Sequence, residues 1–70
     1  MIREIKLSQV RDGESFFMHW HSAALNNLNH ATGWKIVTRH KDGRIKVIDE
    51  RSGEFKISFP ASKKVYVSRK

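Results

Sequence analysis

Cysteine is absent from the 70 residues, which excludes a disulfide framework and any thiolate metal site. Proline occurs once and glycine four times, with no repeat, linker or low-complexity segment between them. No apolar run approaches the ~20 residues of a membrane helix, and no charged-then-apolar leader opens the chain. The expectation is a soluble cytoplasmic protein that does not engage a membrane. Acidic residues are scarce: seven stand against 14 basic ones, a formal charge of +7. That imbalance favours polyanionic partners, nucleic acid ahead of anionic lipid. The plainer alternative is charge carried for solubility. A chain of this length reads as one domain, 1–70, near the lower size limit for a core built without staples.

What is present is organised around Gly33 to Phe59, GWKIVTRHKDGRIKVIDERSGEFKISF. Three runs rich in β-branched and aromatic residues are separated by Asp42-Gly43 and Ser52-Gly53, the pattern of two consecutive hairpins. Phe55, Ile57 and Phe59 alternate with Glu54, Lys56 and Ser58, which marks a dry and a wet face. A two-residue Ser52-Gly53 loop would set Ile57 opposite Ile48. A three-residue loop with a left-handed Gly53 sets Ile57 opposite Val47 and Phe59 opposite Ile45, and gathers four large residues on one face. The bulged loop is therefore expected. The first hairpin has two open registers. A two-residue turn at Asp42-Gly43 pairs Thr38 with Val47, with Trp34 and Ile36 inward. A bulged Lys41-Asp42-Gly43 loop pairs Val37 with Val47. In both, Lys46 and Lys56 point outward, beside Lys35 and Arg39 in the first and beside Trp34, Ile36 and Thr38 in the second.

Towards the start, Ile5 and Leu7 among solvated neighbours read as a strand, followed by a turn at Arg11-Asp12-Gly13-Glu14. Ser15 to His21 is apolar at most positions, and a strand there puts Phe16, Met18 and Trp20 on one face and Phe17, His19 and His21 on the other. Ser22 to Thr32 holds a short helical turn capped by Ser22 or an ordered loop, because three asparagines limit its helicity. Pro60 breaks the strand ending at Phe59, and Val65 and Val67 mark a last short strand before Arg69-Lys70. Strands are thus expected near 2–7, 15–20, 34–40, 44–49, 54–59 and 64–68. Phe16, Val47, Phe55, Ile57 and Phe59 are expected in the core, and Lys46 and Lys56 outside it. Five or six short antiparallel strands on so few residues must curl to hide a face and two edges, so the fold class is mainly β, a small barrel.

Two segments carry a resemblance. Leu7-Ser8-Gln9-Val10-Arg11-Asp12-Gly13-Glu14-Ser15-Phe16 resembles the leucine-serine, glycine-glutamate segment around the diverging turn of SH3 domains. Phe59-Pro60-Ala61-Ser62 followed by Val65-Tyr66-Val67 is similar to the proline-containing turn before the closing strand of that barrel. Ser22 to Arg51 has no counterpart. The resemblance implies an SH3-like topology. It does not carry the proline-rich-peptide groove, because the tyrosine-rich first-strand motif is missing and Tyr66 is displaced from the proline turn.

His19-x-His21 has a spacing that chelates metal on a strand face, with His30 and His40 as further ligands. Without thiolates or clustered carboxylates, packing or surface roles are expected instead, and no metal or cofactor. The acidic residues lie at or beside turns, and Ser22 beside His21 lacks a third partner. No catalytic residue and no small-molecule substrate is therefore expected. The remaining candidates are cationic. Lys35, Arg39, Arg44, Lys46 and Lys56 crowd the meander, and like charges across a ladder repel unless an anion sits among them. Trp34 beside them is a candidate stacking platform. The expected function is a small basic module binding nucleic acid through this face. The alternative is a protein-docking adaptor or inhibitor using the aromatic 15–21 strand.

Overall fold

The computed structural model describes residues 1–26, 33–53 and 56–69, with 25 and 26 described by their backbone alone. Strand β1 (Ile2–Lys6) runs into a 3-10 turn (Leu7–Gln9), and the chain reaches helix α1 (Trp20–Asn26) by way of residues 10–19. Strands β2 (Trp34–Arg39), β3 (Arg44–Asp49), β4 (Lys56–Pro60) and β5 (Lys64–Ser68) follow. All pairing is antiparallel. β2-β3-β4 form the meander, and β1 pairs with β5 in a second, two-stranded sheet.

The second hairpin forms with the bulged loop. Val47 lies opposite Ile57 and Ile45 opposite Phe59, and Gly53 takes a φ of 72°. That left-handed conformation is open to glycine without a Cβ penalty. Lys41-Asp42-Gly43 is likewise a three-residue loop. The His40 N–H donates to the Arg44 carbonyl at 2.8 Å, and the Asp42 carboxylate accepts from the Arg44 N–H at 3.0 Å.

Neither register expected for the first hairpin persists along it. Thr38 pairs with Lys46 and Arg39 with Ile45, as the bulged loop requires, and the ladder then slips at Val37 so that Ile36 meets Val47 and Trp34 meets Asp49. An extra residue in one strand exchanges the faces of everything beyond it. The result combines the two alternatives. Trp34, Ile36 and Arg39 share the inner face, Lys35 and Thr38 the outer one, and Val37 is left 47% exposed.

The 15–20 strand is not formed. Phe16 makes a single bridge to Trp34 in the meander and Phe17 a single bridge to Tyr66 in β5. Each bridge is closed by two backbone hydrogen bonds of 2.8–2.9 Å. These adjacent residues stitch one sheet to the other. The backbone then turns into α1 at Trp20, two residues before the expected cap, because Ala23 and Ala24 favour helix and Ala23 packs fully buried. The pairing does not close into a barrel. At the remaining seam the N–H groups of Leu7 and Ser8 donate to the carbonyls of Lys63 and Ala61.

The core lies between the sheets. Leu7, Val10, Phe16, Ile45, Val47, Val65 and Val67 are buried together, with Ile5, Trp34, Ile36, Ile57 and Phe59 packed partly exposed against them. Phe16 and Val47 are fully buried as expected, whereas Ile57 and Phe59 are half-buried because β4 is an edge strand. Phe55 lies outside the described residues. Of the two outward lysines, Lys56 is exposed and the central-strand Lys46 half-buried.

Candidate functional site

The outer face of the meander is built by alternation. With Ile45 and Val47 turned inward, Lys46 and Ile48 of β3 must face out. Lys35 and Lys56 lie to either side of Ile48, and Thr38 and Ser58 to either side of Lys46. Arg44 borders the same face and donates from Nη2 to the Ser58 carbonyl at 3.1 Å. Lys35 Nζ is 3.6 Å from the Glu50 carboxylate at the corner of the sheet. Lys46 and Lys56 have no acidic partner among the described residues. The meander's other described carboxylates are used locally: Asp42 accepts from the Arg44 N–H and Asp49 from the Arg51 N–H.

The six expected binding residues therefore divide. Lys35, Arg44, Lys46 and Lys56 come together. Arg39 lies on the opposite face because the three-residue loop sets it against Ile45, and Trp34 lies there because of the slip at Val37, which also turns Lys35 outward. Trp34 packs against the core and is no platform for bases on the outer side. Arg39 reaches from the inner face over the turn that follows β1. Its Nη2 donates to the Val10 carbonyl at 2.6 Å and pairs with Asp12 at 3.1 Å.

That turn is also held from the other end of the chain, an arrangement without a local sequence signal. Arg69 Nε and Nη2 donate to the two carboxylate oxygens of Glu14 at 2.9 and 2.7 Å, and Nη2 also reaches the Gln9 carbonyl. Glu14 accepts the Arg11 N–H as well. Hydrogen bonding from Arg69 holds the Glu14 carboxyl at a pKa of about 2, against a smaller upward push from burial. On the outer side of the β1–β5 sheet, Glu4 lies 3.6 Å from Lys64 and accepts from the Tyr66 hydroxyl, which raises the phenol's pKa.

The histidines do not assemble. His19 precedes α1 and His21 lies within it, so the shared strand face expected of them is absent. His40 sits at the first hairpin, and His30 lies outside the described residues. Among the described residues no three of His, Cys, Asp and Glu stand close enough to hold a metal. A shallow hollow of about 220 Å³ is lined by Glu4, Ile5, Lys6, Gln9 and Lys64. It brings no nucleophile beside a base. The aromatic contact surface expected at 15–21 is also missing, since Phe16 and Phe17 are buried and Met18 half-buried, and Trp20, 52% exposed, stands apart at the start of α1. No described helix is long and apolar enough to cross a membrane. No family model, curated protein or solved structure matches the chain.

Proposed function

We propose that this protein is a small basic binding module, not an enzyme, that holds nucleic acid on the outer face of the meander. One observation carries the reading. Lys46 and Lys56 lie within the same outer sheet surface as Lys35 and Arg44, and neither has an acidic partner among the described residues. Repulsion among them is relieved when an anion neutralises the face. The architecture that presents it is read as an SH3-like barrel left open, with Phe16 and Phe17 bridging the two sheets.

The test is the double variant Lys46→Glu, Lys56→Glu. Both side chains point away from the core, so circular dichroism and melting temperature should match the parent. Affinity for a labelled oligonucleotide at low salt should fall at least about tenfold, since two phosphate contacts are replaced by repulsion. Unchanged affinity would move the site elsewhere, and no binding by the parent would end the nucleic-acid reading. The alternative, docking on a partner protein, retains Trp20 and Val37 as exposed apolar contacts. It differs in salt response: apolar docking persists as ionic strength rises, and phosphate binding does not.

A further inference from the structure

Building on that nucleic-acid reading, we infer that the outer face grips the phosphate backbone of double-stranded nucleic acid and makes no use of the bases. The first ground is the direction of the aromatic rings. Among the described residues of the meander strands the aromatics are Trp34 and Phe59, and both pack against the core from the inner side. Single-strand binders gain much of their affinity from bases stacked on exposed rings. Among the described residues this face offers none.

The second ground is the scarcity of side chains that read base edges. Discrimination in the grooves is strongest from the fixed forks of Arg on guanine and of Asn and Gln on adenine, with Asp and Glu accepting from cytosine; Lys also reaches guanine, and Ser and Thr hydroxyls serve any base. The face carries none of those amides, Asp49 shares a register pair with the inward Trp34, and the Glu50 carboxylate is engaged with Lys35 at 3.6 Å. Arg44 is drawn against the sheet by its bond to the Ser58 carbonyl. What remains is lysine charge with the short hydroxyls of Thr38 and Ser58, groups suited to phosphate oxygens, and the mobile ammonium lacks the fixed fork that tells one base from another.

The third ground is spacing. Lys35 and Lys56 occupy one row across the sheet, two strand separations or about 10 Å apart at Cα, and Lys46 stands about 7 Å along β3 from that row. Extended lysine side chains bring the outer pair to the roughly 12 Å of a B-form major groove, bordered by phosphates on both sides. A duplex also presents one charge per about 1.7 Å of axis, against about 3.4 Å for either strand, so a surface that senses charge alone favours it.

The experiment is a set of anisotropy titrations of the full chain with a labelled duplex, a scrambled duplex of equal length and the corresponding single strand, repeated over a range of salt. The duplexes should bind alike, and more tightly than the single strand by about tenfold at low salt. The logarithmic salt slope should be near −3, set by three to four phosphate contacts, and should shrink to about −1 in the Lys46→Glu, Lys56→Glu variant. Equal or tighter binding of the single strand overturns the inference and leaves the nucleic-acid reading standing. A tenfold preference between the duplexes also overturns it. Absence of binding to all three probes defeats the nucleic-acid reading itself.

Discussion

The turn between Leu7 and Glu14 and the outer face of the meander are both served by cations, and they use them in opposite ways. At the turn, Arg39 arrives from β2 and Arg69 from beyond β5, and between them they engage the carboxylates of Asp12 and Glu14 and the carbonyls of Gln9 and Val10. On the outer face, Lys46 and Lys56 have no described acid beside them. The planar guanidinium forks suit fixed multidentate contacts, whereas an ammonium is a mobile point charge. In these two regions the charge is sorted: Arg39 and Arg69 join distant parts of the chain, and Lys46 and Lys56 stand without an acid among the described residues.

Phe16→Ala is the change that breaks the comparison most completely, because both regions share the core beneath it. Removing a fully buried phenylalanine costs about 3–5 kcal/mol. A domain of this length holds only about 4–10 kcal/mol in all. Denaturant titration should show most of its stability gone, and oligonucleotide binding should fail along with the fold. A variant that kept its unfolding midpoint would show that the two regions stand independently.

Glu14→Gln should separate them. It weakens the Arg69 contact without touching the outer face, so stability should fall by about 2 kcal/mol, between the values for exposed and buried pairs once solvent screening is allowed for. Affinity for an oligonucleotide should not change. The pH response has a definite sign. The folded-state pKa of about 2 lies below the ordinary 4.5, so the contribution is complete above the ordinary value and is lost as pH falls towards 2. Melting followed from pH 5 to 2 should show the parent losing its advantage over the variant. A constant difference would place the effect in packing and not in charge.

How much of this was legible depended on whether the signal was local. The second hairpin could be read because a turn glycine and strict alternation agree. The slip at Val37 could not, since Ile36-Val37-Thr38 are three β-branched residues in a row and nothing within them marks which one is surplus. Aromatic content made 15–21 look like a strand, although Phe16 and Phe17 each make only one bridge and the alanines of α1 take over soon after. Four of the six binding candidates were brought together; Trp34 moved across with the slip, and Arg39 with the three-residue loop. The grips of Arg39 and Arg69 join residues far apart in the chain and leave no pattern in either segment.

The smallest effect sharpens the contrast from the other side. Glu50→Gln removes the carboxylate 3.6 Å from Lys35, leaving a third lysine on the face without its acid. A surface pair of this kind is worth about 0–1 kcal/mol, so stability should hardly move. Affinity for an oligonucleotide should rise about two- to threefold at low salt, as a carboxylate that competes with phosphate for Lys35 is removed. A fall in affinity would mean that Glu50 positions Lys35 and does not compete for it.

The pairing of β1 with β5 has a temporal consequence. Within the meander each strand meets its partner across a short connection, so those contacts form at little entropic cost. Lys6 meets Lys64, and Phe17 meets Tyr66, only after nearly the whole chain has been brought round. Long-range closure is slow because its entropy is lost before its contacts are gained. The hairpins are therefore expected to form first, with the two-stranded sheet closing over them last. Until then one side of the core, including Ile45 and Val47, is bare to water, and during that interval the nascent protein is most exposed to sticking to its neighbours.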